Sequence, residues 1–323
     1  MQRATLVPLL LGFLLLAALV SAISQFGELE RFLELMRHVK PFWLLSSLSL
    51  QAGTYLCEAM AWRLALRLYG YDLPLPALVP LSLAKLFSDQ AMPSGGISGN
   101  AFFVVALRRR GIARELARSC MLVDLAAYFS SYASMTAMSL LVLAVHDELS
   151  RWLLALTSAF IAIQMSVPLL LWHVGRHGLA HANALRLRYP RLQAWAATLQ
   201  TSATLIPRHA GLFIRLTALH AAIMLLDAGS LWTMLLGIGQ HLPFELAFSS
   251  FVTASMVMSL SPIPLGLGTF ETTCVAMLRA AGIGLEAGLT ATILLRGLTT
   301  WLPMLPGIWL VKREMRETGR PAA

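Results

Sequence analysis

The sequence predicts an all-α polytopic membrane protein of about six full spans and two re-entrant helical hairpins, arranged as an inverted-topology repeat. Three observations carry that expectation. The 323 residues are 57% apolar and 13% charged, with a mean hydropathy of +0.69, whereas a soluble domain carries about 25% charged residues. Six segments supply the roughly 20 apolar residues that a bilayer core demands, and two more are interrupted by Pro/Gly clusters. The chain also matches itself at a spacing of 171 residues. A water-soluble globular enzyme is excluded by the first observation alone.

The full spans are expected at 6–23, 41–65, 120–145, 152–174, 212–236 and 287–311. The first resembles a signal peptide, with Arg3 ahead of an apolar run and Val20-Ser21-Ala22 as a cleavage-like site, but it is kept as a span because the later half has its counterpart. The stretches 74–108 and 243–279 each carry a long arm, a break (PSGGISGN at 93–100, PIPLGLGTFE at 262–271) and a short return arm. The return arms 101–107 and 272–278 reach only about 10 Å as helix, too little to cross. Prolines 74, 76 and 80 shorten the first long arm further. Re-entrant hairpins result, and these are tolerated only where protein or a watery cavity covers the tip.

Positive charge fits that topology. With the N-terminus inside, seventeen of the 25 Lys and Arg residues fall in inside segments and five (Arg31, Arg37, Lys40, Arg151, Arg279) outside. Both termini are therefore expected in the cytoplasm, and the net charge of +9 reads as a topological label with no nucleic acid implied. The connection 27–40 is expected to lie along the outer surface, and the basic connection 175–211 to be a solvated inside loop, with binding to anionic inner-leaflet lipid as the alternative. Cys57, Cys120 and Cys274 sit apart in apolar runs and form no disulfide framework.

At the spacing of 171, eight of the 23 positions 93–115 are identical to their counterparts, among them Pro93 with Pro264, Gly95 with Gly266, Arg108 with Arg279 and Glu115 with Glu286. Each half, about 1–150 and 151–323 of one integral membrane domain, reads as span, span, hairpin, span. Three crossings per half place the second half upside down, with the hairpins entering from opposite faces and their tips meeting near the midplane. Inverted repeats with broken helices at mid-membrane are transporter architecture.

The expected substrate-binding residues follow from the tips: Pro93, Gly95, Gly96 and Asn100 in the first, Pro264, Gly266, Gly268 and Glu271 in the second. Helices opening near Ser98–Asn100 and Thr269–Glu271 would present unpaired N–H groups to an anion. Ordinary capping by Ser98 and Thr269, with Glu271 stabilising its helix dipole, is the plainer alternative. Asp124 and Arg296 lie on pseudo-equivalent turns after the hairpins; Arg296 pairs with Asp124 or Glu271 or holds a lipid phosphate. Lys85 and Asp89 form an expected i, i+4 pair, while Glu58 and Asp227 are further candidates, Glu58 toward Arg63 and Asp227 toward His220. Gly53, Ala59, Ala61, Ala221, Ala222, Ala228 and Gly229 are assigned to close helix packing. The eight scattered histidines form no metal set, and without a Walker A motif no cofactor is expected.

Pro262-Ile-Pro264-Leu-Gly266-Leu-Gly268-Thr-Phe-Glu271, with Leu294-Leu-Arg296 and Trp301-Leu-Pro303 behind it, resembles the transmembrane region of lysylphosphatidylglycerol synthases, the flippase domain of the multiple peptide resistance factor. Pro93-Ser-Gly-Gly96 running into Ala106-Leu-Arg108-Arg-Arg-Gly111 matches the same family. The chain departs from it at Asp124-Leu125, where many members carry an acidic–Arg pair. The resemblance implies a stand-alone, non-enzymatic lipid translocase of the bacterial cytoplasmic membrane, with a phospholipid or a polyisoprenoid or hopanoid-type lipid as substrate and a lipid-synthesising enzyme as partner. An ion-coupled small-solute carrier and a membrane scaffold for a lipid-modifying enzyme are the alternatives.

Overall fold

A computed structural model describes residues 39–91, 97–146, 150–177, 198–204, 208–261 and 266–304, with a few single positions beside them. The expected span 6–23, most of the connections 27–40 and 175–211, and the tip residues Pro93, Gly95, Gly96 and Pro264 lie outside the described residues. The described residues are helical, with no strand among them. In chain order the helices are α1 (Pro41–Arg67), α2 (Leu75–Ala91), α3 (Ile97–Arg109), α4 (Arg114–Val145), α5 (Arg151–His177), α6 (Ala210–Gly237), α7 (Phe244–Leu260), α8 (Thr269–Ala280) and α9 (Leu285–Arg296). Helices α4, α5 and α6 are each long and apolar enough to cross a bilayer. Their outer faces are bare hydrocarbon, with Leu141, Ile163, Leu170 and Ile214 all more than half exposed, as suits contact with lipid.

Helix starts in the second half repeat those of the first. Pro41 to Ala210, Leu75 to Phe244, Ile97 to Thr269 and Arg114 to Leu285 are 169, 169, 172 and 171 residues apart. The broken stretches each resolve into a pair of packed helices, α2 with α3 and α7 with α8. Their second members hold 13 and 12 residues, about 20 and 18 Å, longer than the expected return arms because helix begins at Ile97 and Thr269, before the polar first turns. Both remain well short of a 30 Å hydrocarbon core. The predicted continuous span at 287–311 is not continuous α-helix: α9 widens at Arg296 into a π-turn, Gly297–Trp301. Pro303 has no N–H to return to the carbonyl of Thr299, and a wider turn upstream accommodates the missing bond.

The most extensive helix pairing joins α1 to α6. Leu50 packs on the backbone of Gly229 while Leu226 packs on Gly53, with methyl groups 3.3 and 3.2 Å from where a Cβ would stand. One helix runs up as the other runs down, since residue numbers in contact rise on one and fall on the other. The same order continues from Val39 beside Gly237 to Glu58 beside His220. Gly53 and Gly229 thus do the packing expected of them, and Ala59, Ala61 and Ala228 are fully buried, while Ala221 and Ala222 are only partly covered.

Two apolar cores occupy opposite ends of the long helices. One gathers Ala59–Leu66 of α1, Ala117–Ala127 of α4 and Leu216 of α6 around the α2–α3 pair, with Trp62 stacked on Phe103 at 3.8 Å. The other gathers Tyr132 of α4 and Met224–Leu235 of α6 around the α7–α8 pair, with Phe251 edge-on to Phe270 at 5.9 Å. Each hairpin-like pair therefore packs at one end only. Beyond the first core, Arg63 and Arg67 both hold Asp72 in the turn after α1, at 2.7 and 2.9 Å, and their hydrogen bonds keep its carboxyl below the ordinary range.

Candidate functional site

Where the two cores meet, polar side chains replace apolar ones on three helices at helical spacing. Gln51, Tyr55 and Glu58 come from α1, Asp124, Tyr128 and Tyr132 from α4, and His220 and Asp227 from α6. Together they line a cavity of about 500 Å³. Asp227 sits ten residues from the end of α6 and Asp124 ten from the start of α4, about 15 Å along either helix and so inside apolar stretches long enough to cross a bilayer. Ionisable groups at such depth are costly and mark function or a pairing between helices.

Three carboxylates here face a cationic or protonatable nitrogen. Lys85 of α2 donates to Glu58, which also accepts from the Trp62 indole at 3.0 Å. His220 donates through Nε2 to Asp124 at 2.9 Å, because a carboxylate only accepts, and its Nδ1 lies 3.9 Å from Glu58. Arg296 Nε stands 2.7 Å from Glu271 Oε1, a close ionic contact whose N–H is not aligned for a hydrogen bond, with the guanidinium carbon 5.4 Å from the Phe270 ring centre. The fourth, Asp227, accepts among the described residues only from the neutral amide of Gln51, at 2.9 Å; the same amide nitrogen lies 2.9 Å from Ser230 Oγ.

Of the residues expected to bind substrate, Asn100, Asp124, Gly266 and Arg296 line this one cavity. Asn100 is 5% exposed and its Oδ1 has no hydrogen-bond partner among the described residues. Glu271, its repeat counterpart, behaves differently: its Oε2 accepts from the N–H of Gly268 at 2.7 Å and so caps α8, while its other oxygen faces Arg296. Glu271 thus both caps α8 and faces Arg296, whereas Thr269, expected as the cap, is the first residue of α8 and donates its hydroxyl to the Gly266 carbonyl at 2.8 Å. Gly266 and Gly268 both have positive φ, 61° and 78°, and form the turn that aims α8 at the cavity. A Cβ on Gly266 would stand 2.1 Å from Met258 Cγ.

The other sequence pairings are redistributed. Arg63 meets Asp72 instead of Glu58, and His220 meets Asp124 instead of Asp227. Lys85 meets Glu58; the Asp89 side chain lies outside the described residues. Gln51, Tyr55, Tyr128 and Tyr132 escaped notice in the sequence. Their signal was the spacing of polar groups inside apolar spans: 51, 55 and 58 on one, 124, 128 and 132 on another, each a single helical stripe.

A family model described as "Lysylphosphatidylglycerol synthase TM region" matches residues 9–307. Among curated proteins none matches the chain.

Proposed function

The chain belongs to the lysylphosphatidylglycerol synthase TM region family, and from that premise we propose that it is a lipid translocase, not an enzyme. It moves a phospholipid or a polyisoprenoid or hopanoid-type lipid between the leaflets of the bacterial cytoplasmic membrane, with both termini in the cytoplasm. The α2–α3 and α7–α8 pairs act as re-entrant hairpins of an inverted repeat, one entering from each face. Support comes from the antiparallel packing of α1 on α6, from the matched spacing of helix starts, and from the seating of the two pairs at opposite ends of the long helices.

The observation that carries the function is the polar cavity at the seam of two apolar cores. A headgroup crosses there while its tails stay in lipid, and the seam offers both donors and acceptors: Asn100, Arg296 and Lys85 beside Asp124 and Glu58. The tips, Pro93, Gly95 and Gly96 with Pro264, Gly266 and Gly268, shape the ends of that path, and Glu271 steadies Arg296. Rocking of the two halves about α1 and α6 exposes the cavity to each leaflet in turn. A lipid-synthesising enzyme is the partner that supplies the substrate.

Reconstitution provides the test. Fluorescently labelled lipid in vesicles containing the folded protein is expected to become accessible to an external quencher faster than in empty vesicles, and equal rates would overturn the proposal.

A further inference from the structure

Asp227 differs from every other carboxylate lining the cavity or pairing with a residue that lines it. Glu58, Asp124 and Glu271 each face a cationic or protonatable nitrogen, whereas Asp227 has one neutral donor, Gln51, and no cation partner among the described residues. Its Oδ1 is engaged by Gln51, and its second oxygen is left to the cavity that Asp227 lines. A lone carboxylate half-way along a membrane helix is costly as an anion, and taking up a proton removes that cost.

The groups facing it from the helices packed on α6 do not supply a compensating charge. From α1 they are Tyr55 and Glu58, from α4 Asp124, Tyr128 and Tyr132, and from α9 Arg296, which is held by Glu271; α7 turns no titratable group to the cavity. On α6 itself His220 is held by Asp124, and Lys85 of α2 by Glu58. Asp227 also sits on the antiparallel contact of α1 and α6, one residue from Ala228 and two from the Gly229 that receives Leu50. A change in its charge is thus felt where the two halves join.

We propose that Asp227, oriented by Gln51, is the proton-binding site that couples a transmembrane proton gradient to movement of the lipid. This rests on the translocase reading above. A proton from the acidic side adds to the free carboxylate oxygen when the cavity opens there, and it leaves to the other side after the halves rock, so that proton and headgroup share one cavity without sharing one group.

The test uses the full chain in phospholipid vesicles, timing a labelled phospholipid with and without an imposed proton gradient. Wild type is expected to respond several-fold, D227N to show a ratio near one, and D227E to recover the response. Asn keeps the acceptor for Gln51, which guards against misfolding. Infrared difference spectra between acidic and neutral buffer, recorded without a gradient, are expected to show a protonated-carboxyl band that D227N lacks. Lipid movement indifferent to the proton gradient, acceleration by a sodium gradient at constant pH instead, or a band unchanged in D227N would each overturn the proton site. A band lost in D227N with no lipid movement in any vesicle overturns the translocase reading and leaves the proton site standing.

Discussion

His220 on α6 donates to Asp124 on α4 across 2.9 Å, and both side chains are almost wholly buried. The contact ties together α4 and α6, each of which contributes to both cores. Removing one partner strands the other: H220A is expected to cost about 3 kcal/mol, as for a buried pair that loses one member. The H220A/D124N double variant should cost less than the sum of the two single changes. Equilibrium unfolding in micelles measures both, and an H220A loss within the error of the method would contradict the pairing.

Arg296 and Glu271 are expected to resist charge exchange. In the reversed pair R296E/E271R the ionic contact returns, but a guanidinium in place of the Glu271 carboxylate has no acceptor for the Gly268 N–H that Glu271 now caps. R296A should slow lipid movement about tenfold or more, matching loss of one charge-assisted contact. The reversed pair should not regain it. Full recovery would mean that the cap has no part in placing Arg296.

At Gly266 two penalties coincide, a positive φ of 61° and a Cβ that would overlap Met258. G266A is expected to destabilise by about 1 to 3 kcal/mol, the scale of a residue forced into a sparsely populated backbone region. Adding M258A should relieve the overlap and leave the backbone cost. G282A, where φ is 90° with open space around the Cβ, supplies the comparison for backbone cost alone.

Close approach of α1 to α6 depends on Gly53 and Gly229. G53L or G229L should cost about 1 to 3 kcal/mol through overpacking, and G53A far less, because one methyl asks only a small shift of Leu226. Thermal scans of the purified protein check the ordering.

Cysteines placed singly at Gly70, Arg110, Gly239 and Gly282 test the hairpins directly. Gly70 and Arg110 flank the α2–α3 pair, Gly239 and Gly282 the α7–α8 pair. Membrane-impermeant labelling of whole cells should reach positions 239 and 282 and spare 70 and 110. Opposite accessibility within either pair would mean that it crosses.

The membrane class was legible in composition, because a bilayer core admits few charges and a chain this apolar has nowhere else to go. Helix placement was legible too: Pro and Gly stop helices locally, so α3 and α8 follow their breaks, and the spacing of 171 reappears in the helix starts within two residues. Family membership followed from the same motifs.

Partnership among the charges was legible only in part. Glu271 was one of two carboxylates offered to Arg296, and it is the one that Arg296 meets, but Glu58 and His220 were matched to Arg63 and Asp227, whereas the pairs that form are Glu58–Lys85 and Asp124–His220, 27 and 96 positions apart. Which polar groups meet depends on the rotation and register of packed helices, and these are decided by non-local contacts such as Leu50 on Gly229. The same packing sets Asp227 apart, since only after the other three carboxylates had found their nitrogens was one left with an amide. What the amino-acid sequence determined by itself was that the chain belongs in a membrane and where its helices break; what the tertiary structure decided was which buried charges neutralise one another and where a cavity remains, because burial demands pairing and only three-dimensional proximity provides it.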